Sequence, residues 1–408
     1  MTQSNNIPQG YKDSPLGIIP QEWEVKRLGE VCRVNQGLQI PIEKRLTVPI
    51  PNSYKYITIQ YLNGSKGVEY ILNPNDSVIC NSEDILMTRT GNTGIVVTGV
   101  DGVFHNNFFK INFDRSLFDK NYLVTYLTQP HTQHTILVKA GTSTIPDLNH
   151  KDFYSINIPL PPLPEQQRIA EVLGTWDVAI EKQGALVDKL TERKRALMQQ
   201  LLTAKKRLPN FSEPWETVRL GEVAEMQSGG TPKSSNASYY GGNIHWASIS
   251  DISKSGKYLT YTERCITDEG LANSTARVFK ANTVLYAMYA SLGKTTIAGV
   301  ATSTSQAILG ITPNIDCLYY QFLYYVLSSM EDKVKTLGQC GTQSNLNKEM
   351  VMDFKIKLPS VIEQTAIAQI LTTADREIEG AKAKLESLRS QKRGLMQQLL
   401  SGKKRIKI

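Results

Sequence analysis

Long apolar runs are missing from this chain of 408 residues. A membrane span needs about 18 or more consecutive apolar residues, and no stretch approaches that. The opening MTQSNNIPQGYKDSPLG has neither a basic leader nor an apolar core, so no signal peptide is expected. Both lacks point to a cytoplasmic protein with no membrane partner. Cysteine is scarce as well. The five present (Cys32, Cys80, Cys265, Cys317 and Cys340) are odd in number and never spaced CxxC, which argues against a disulfide framework and a zinc ribbon. Charge of one sign is only mildly in excess, 46 Lys and Arg against 38 Asp and Glu. That tilts towards a polyanionic partner without naming one.

Catalytic signatures are equally thin. There is no NPP(Y/F) motif for amino-group methylation and no FxGxG loop for a methyl donor. Ser291-Leu292-Gly293-Lys294-Thr295 ends like a phosphate-binding loop, but the first glycine would fall at Met288. His131 and His134 have metal-like spacing with no further ligand set, so a surface or packing pair is the expectation. Neither a catalytic residue nor a metal site is expected on this chain.

What is present is a repeat. Residues 165–207 and 363–405 align without a gap and share KRxLMQQLLxxKKR. Upstream, Trp23-Glu24 and Arg27-Leu28-Gly29-Glu30-Val31 match Trp215-Glu216 and Arg219-Leu220-Gly221-Glu222-Val223. DILMTRTGNTGIVVTG (84–99) matches TVLYAMYASLGKTTIAG (283–299) in outline, and GTSTIPDLN (141–149) matches GTQSNLN (341–347). Within the repeated segments Ile169, Leu173, Trp176, Ile180, Gln183, Val187, Leu190, Lys194, Leu197 and Leu201 alternate at spacings of four and three. Ile367, Leu371, Ala374, Ile378, Ala381, Leu385, Leu388, Lys392, Leu395 and Leu399 repeat that register. This is the heptad seam of a coiled coil. Ser360 with Glu363 reads as a capping box, and the KKR ends as solvated cations favouring helix C-termini. Lys194 and Lys392 interrupt their seams either by snorkelling to water or as a register device.

The blocks before the helices mix short strands such as Tyr56–Tyr61 and Val284–Tyr289 with Gly, Asn, Ser and Pro loops, and helices are expected near 120–138 and 317–337. The expected fold is α+β: two globular mixed α/β domains separated by two long helices that form an antiparallel coiled coil with pseudo-two-fold symmetry. The boundaries fall at 1–162, 163–207, 208–360 and 361–408. A helix of 35–40 residues would span roughly 50–60 Å, enough to keep two readers about one turn of duplex DNA apart.

This layout resembles the specificity subunit of type I restriction–modification enzymes over essentially the whole chain. The resemblance rests on the tandem domain–helix repeat, on Pro161–Gln166 with its counterpart Pro359–Gln364, on the LMQQLLxxKKR ends, and on GGTPKSSNASYYGGNIHWASISDI (229–252). Around 36–60, domain one lacks the GGTP-type loop of domain two. The resemblance implies two target-recognition domains reading the halves of a split, asymmetric double-stranded DNA site. It also implies helices that dock two methyltransferase (modification) subunits and restriction/translocase subunits. Those partners would bring S-adenosylmethionine, ATP and Mg²⁺, none of which is expected on this chain. The competing reading is a coiled-coil scaffold with two protein-binding domains and no DNA affinity.

The candidate DNA contacts are polar loop residues at positions shared by the repeats. In domain one they are Thr88, Arg89, Thr90 and Asn92, with Thr142, Ser143 and Thr144. Arg89 could pair with guanine or hold a phosphate, and Asn92 could pair with adenine; otherwise TRTGNTG is a plain hairpin turn. In domain two they are Thr231, Lys233, Ser234, Ser235, Tyr289, Ser291, Lys294, Gln343 and Ser344. Trp246, aligned with Tyr56, is a core or rim aromatic or else a groove contact, and His105 and His245 are structural. Seam and partner positions are Glu165, Gln166, Ile169, Leu173, Ile180, Leu190, Leu197 and Leu201, with Glu363, Gln364, Ile367, Leu371, Ile378, Leu388, Leu395 and Leu399.

Overall fold

Alternating side chains sort most strands of the first repeat into two main sheets, beside two short two-stranded ones. The computed structural model describes residues 7–141, 145–339 and 345–406. The strands of the two main sheets are β1 (Cys32–Gln36), β2 (Ser53–Ile57), β3 (Tyr70–Leu72), β4 (Ile79–Cys80), β5 (Ile85–Thr88), β6 (Val96–Val97), β7 (Gly102–Phe104) and β8 (Phe108–Phe113). An antiparallel sheet runs β1-β8-β5-β6, and a second runs β3-β2-β7-β4 with β7 parallel to β2. The period of two explains why both faces of the first sheet are apolar. Ile85 and Met87 of β5, with Phe109 and Ile111 of β8, join the core shared with the helices. Leu86 and Phe108 point the other way, into the core of the second sheet.

Local chemistry corrects two expectations here. The strand expected over Tyr56–Tyr61 stops at Ile57, because the Thr58 hydroxyl accepts from Tyr61 N and caps a one-turn helix, Ile59–Leu62. The helix expected over 120–138 is two: α1 (Lys120–Thr128) and α2 (Pro130–Ala140). Proline lacks an N–H and disfavours a helical residue before it, so Gln129 is extended and Pro130 opens the second helix.

The helix α3 (Leu163–Leu201) has 39 residues. The second repeat follows with β9 (Ala224–Ser228), β10 (Tyr240–Ala247), β11 (Tyr258–Leu259), β12 (Arg264–Ile266), β13 (Val278–Phe279), β14 (Val284–Ala287), β15 (Thr295–Ala298), β16 (Thr302–Thr304) and β17 (Ile308–Pro313). Its main sheets run β9-β17-β14-β15-β11 and β12-β10-β16-β13, the first repeat's pattern with one strand added at an edge. Without a proline, α4 (Tyr320–Gln339) is unbroken. The chain closes with α5 (Val361–Leu400), 40 residues.

The chain divides into two compact units, Met1–Gln183 with Lys384–Ile408, and Gly184–Ala383. Each long helix gives a segment to each unit. In the first unit Ile169, Ala170 and Leu173 of α3 share a core with Met396, Leu399 and Leu400 of α5, beside Trp23, Phe118 and Tyr122. In the second, Leu201 and Leu202 meet Ile367, Ala368 and Leu371 beside Leu220, Leu318 and Phe322. Within each unit the segments run antiparallel, as Lys392–Asp177 with Arg405–Glu165 and Lys194–Asp375 with Arg207–Glu363 show. Every seam residue is buried or half-buried, Ile180, Leu190, Ile378 and Leu388 included. Lys194 and Lys392 do not simply snorkel: each pairs with an aspartate of the facing helix segment.

Candidate nucleic-acid interface

Strand register gathers four loops at one end of each main sheet. Phe108 lies opposite Thr88 and Phe109 opposite Gln36, so the end of β5, the start of β8 and the end of β1 coincide. Gly37 N donates to Phe108 O and Leu38 N to Phe104 O, fastening the loop after β1 to the β7–β8 turn. Arg89 N donates to Asn107 O, and Leu148 N to Arg89 O, which brings in the loop after β5 and the segment before Asn149. The second repeat has the same frame. Gly229 N bonds Ile308 O, Gly230 N bonds Thr304 O, Met288 N bonds Ala307 O, and Leu346 N bonds Met288 O.

A shared glycine makes this frame possible. A Cβ on Gly37 would lie 2.1 Å from Phe104 O, and one on Gly229 2.1 Å from Thr304 Oγ1. Only a bare backbone approaches so closely. An aromatic then pins the residue after the glycine. Tyr56 OH donates to Leu38 O (2.8 Å), and Trp246 Nε1 donates to Gly230 O (2.9 Å). Tyr56 and Trp246 are therefore loop anchors, both buried. The first repeat, which lacks the GGTP-type loop, still keeps its backbone anchoring, since Gly37 N and Leu38 N make the bonds that Gly229 N and Gly230 N make in the second. Burial, with Arg45 nearby, lowers the His105 imidazole below its usual range, and its Nδ1 accepts from Asn107 N in the same turn.

Several expected contacts prove to be part of this scaffold. Thr88 is buried; its hydroxyl accepts from Ile95 N and donates to Asn92 O, so it closes the turn and does not face outward. Arg89 is turned inward, its Nη2 on Asp147 (2.9 Å) and its guanidinium over the Phe109 ring. The matching residue of the second repeat is the buried Met288, so this position supports the loops. Thr90 donates to Asp147 and stays half-exposed, while Asn92 is exposed. In the second repeat Thr231, Lys233, Ser234, Ser235 and Tyr289 are exposed; Ser291 shares a hydroxyl bond with Ser253, and Lys294 is half-exposed. Thr142, Ser143, Thr144, Gln343 and Ser344 lie outside the described residues. Sequence reasoning missed Gln39, Asn106 and Gln306, which share this edge; no motif marks them.

The helix entries are corrected more sharply. Glu165, Gln166, Glu363 and Gln364 are buried, so they serve the fold from inside and not a docking partner. Glu165 accepts from Trp23 Nε1 (2.9 Å) and from Arg405 Nε and Nη2 (2.6 and 2.9 Å). Glu363 accepts from Trp215 Nε1 (3.0 Å) and from Arg207 Nε and Nη2 (both 2.9 Å). Ser360 Oγ accepts from Glu363 N (3.4 Å), but the Glu363 carboxylate turns to Arg207 and Trp215, so only half of the expected capping box forms, and the last residue of each KKR is a latch instead of a solvated cap. Gln166 accepts from Asp119 N and donates to Leu117 O and Pro161 O; Gln364 accepts from Tyr319 N and donates to Cys317 O and Pro359 O. Both glutamines thus grip the segment that leaves the main sheet at the end away from the loops.

His131 and His134 are exposed on α2, and no cluster of potential metal ligands occurs among the described residues. Among those residues no helix is long and apolar enough to cross a membrane. The second unit adds a feature absent from the sequence reading. Lys257 Nζ donates to Gln321, Tyr325 and Thr372 and lies 4.7 Å from the Tyr325 ring centre. Burial pushes this amine down to about 8, against the pull of Asp375.

Comparison with known proteins meets this geometry. The sequence is 28% identical to the type I restriction enzyme MjaVIII specificity subunit of Methanocaldococcus jannaschii, covering 98% of both chains. It is 25% identical to the EcoR124I/EcoR124II specificity subunit of Escherichia coli over 54% of this chain and 55% of that one. The S subunit structure from M. genitalium matches the fold with a TM-score of 0.60 at 16% identity, covering 98% of both chains. A second structure, described as the basis of complex assembly and conformational transition of the type I R-M system, matches with a TM-score of 0.61 at 21% identity over 94% and 99% of the two chains. The profile of the type I restriction modification DNA specificity domain matches residues 20–189 and again 212–389, the two stretches that carry the duplicated loop frame. The chain belongs to the type I restriction–modification specificity subunit family, and carries its DNA specificity domain twice.

Proposed function

We propose that the chain reads a split, asymmetric double-stranded DNA site, one half with each repeat, as the non-catalytic subunit of a restriction–modification assembly. One observation carries this reading: the same backbone frame of four loops is built twice, and its outward residues differ. Asn92 and Thr90 stand in the first frame where Ser291 and Tyr289 stand in the second. A common frame with different edges suits recognition of two unlike half-sites, because base identity is read by side chains while the backbone sets their pose.

The paired helix segments set the gap between the half-sites and carry the methyltransferase and restriction subunits. Those subunits supply S-adenosylmethionine, ATP and Mg²⁺. The decisive experiment maps methylated sequences in a host expressing this chain with its methyltransferase partner. A two-part motif with a fixed gap is expected. A contiguous motif, or none, sinks the reading. Binding of the assembled complex to its site should also fall steeply as salt rises, since phosphate contacts release counterions. A protein-binding scaffold would show no such dependence.

A further inference from the structure

The two loop frames hold side-chain amides at equivalent places. Asn106 is at the tip of the β7–β8 turn and Gln306 at the tip of the β16–β17 turn. Each faces the residue two positions after the shared glycine. Asn106 Nδ2 donates to Gln39 Oε1 (3.4 Å), and Thr231 Oγ1 donates to Gln306 Oε1. One backbone geometry therefore produces two pairs of different composition, each at the edge where the candidate contacts collect.

Neither pair exhausts its hydrogen-bonding capacity among the described residues. Asn106 Oδ1 is buried without a partner. Gln39 and Gln306 are exposed, and neither amide nitrogen makes a bond. Turning an amide over exchanges its oxygen and nitrogen, yet each pair still offers a spare donor and a spare acceptor. In the major groove adenine presents an N6–H donor beside the N7 acceptor, which an Asn or Gln amide matches with two bonds. Guanine shows two acceptors there and cytosine a single donor, so neither fits as well. Asn106 Oδ1 is shielded in the free protein, so a base edge meets it only after the side chain swings outward, and an acceptor with no partner to lose keeps the cost of that swing low.

We propose that Asn106 and Gln306 are specificity-determining DNA contacts, each reading an adenine edge in its own half of the site through its side-chain amide. Gln39 and Thr231 hold the amides in place before DNA arrives. The proposal rests on the DNA-reading function above, and one experiment separates the two. The full chain is expressed with its methyltransferase partner, and methylated sites are mapped for wild type, Asn106→Ala and Gln306→Ala.

Asn106→Ala should lose preference for adenine at one position of one half-site, by about 10-fold or more, with the other half unchanged. Gln306→Ala should do the same in the opposite half. Gln306 is exposed, so its truncation leaves the fold intact and carries the test even where Asn106→Ala is unstable. A two-part wild-type motif that both variants retain at every position overturns the proposal. So does a loss spread over both halves by either variant. A wild type with no motif overturns instead the function on which the proposal rests.

Discussion

Removing the guanidinium of Arg405 tests the latch logic most directly. Glu165 is fully buried, and its three hydrogen bonds come from Arg405 and Trp23. Arg405→Met leaves a buried carboxylate with one indole N–H and no counter-charge. Breaking a buried pair from one side costs about 3–5 kcal/mol. The Arg405 side chain is 35% exposed, so solvent reaches part of the pair and the lower end, about 3 kcal/mol, is expected. Glu165→Gln keeps an acceptor for Trp23 but faces the arginine with a neutral amide, for about 2 kcal/mol. The double variant removes both charges and should lose only about 2 kcal/mol, a coupling of about 3 kcal/mol. Urea unfolding of the full chain, followed by circular dichroism, supplies the cycle. The coupling should change little between low and high salt, because the carboxylate is out of solvent. Additive single effects, or an Arg405→Met variant as stable as wild type, would refute the reasoning.

Three further outcomes are expected. Ala204, in the turn just past α3, has φ +60°, where the second copy has Gly402 at +68°; Ala204→Gly should stabilise by about 1 kcal/mol and raise Tm by roughly 2–4 °C in calorimetry. The Lys257 amine has fallen to about 8 in the folded chain from an unfolded value of 10.5. Between pH 8 and 10 the unfolded state therefore binds more protons, and stability should rise with pH. Urea midpoints at pH 7.5 and 9.5 should show that gain in wild type and not in Lys257→Met; parallel curves would exclude it. Gly37→Ala and Gly229→Ala should each push the loop off its turn, lowering stability by about 1–3 kcal/mol and degrading one half of the methylation motif, as site mapping would show.

The long helices were legible because a heptad seam writes itself into the sequence at spacings of four and three. Every position from Ile169 to Leu201 and from Ile367 to Leu399 on that seam is at least half-buried. The latches were visible as repeated letters, but their role was not. Glutamate and arginine are usually surface residues, and only the fold brings Arg405 to Glu165 or Arg207 to Glu363. The loop frame was half hidden for a different reason. Its contacts are to backbone carbonyls, so Tyr56 and Trp246 do one job with unlike side chains, and a single glycine is the shared signal. Arg89 looked like a reader because its turn is polar, whereas Asp147 and Phe109 draw it inward.

On the ribosome the two units face different schedules. Gly184–Ala383 is one uninterrupted stretch and can close its core as soon as it has emerged. Met1–Gln183 is made first, yet its core needs Met396, Leu399 and Leu400 from Lys384–Ile408. At about 5–20 residues per second, the intervening ~200 residues take roughly 10–40 s to synthesise. For that interval Ile169 and Leu173 have no partner from α5, and the apolar stripe they lie on is open to chaperones or to another nascent chain. Damage at Met396, Leu399 or Leu400 would therefore be felt more than 200 residues earlier, around Ile169 and Leu173.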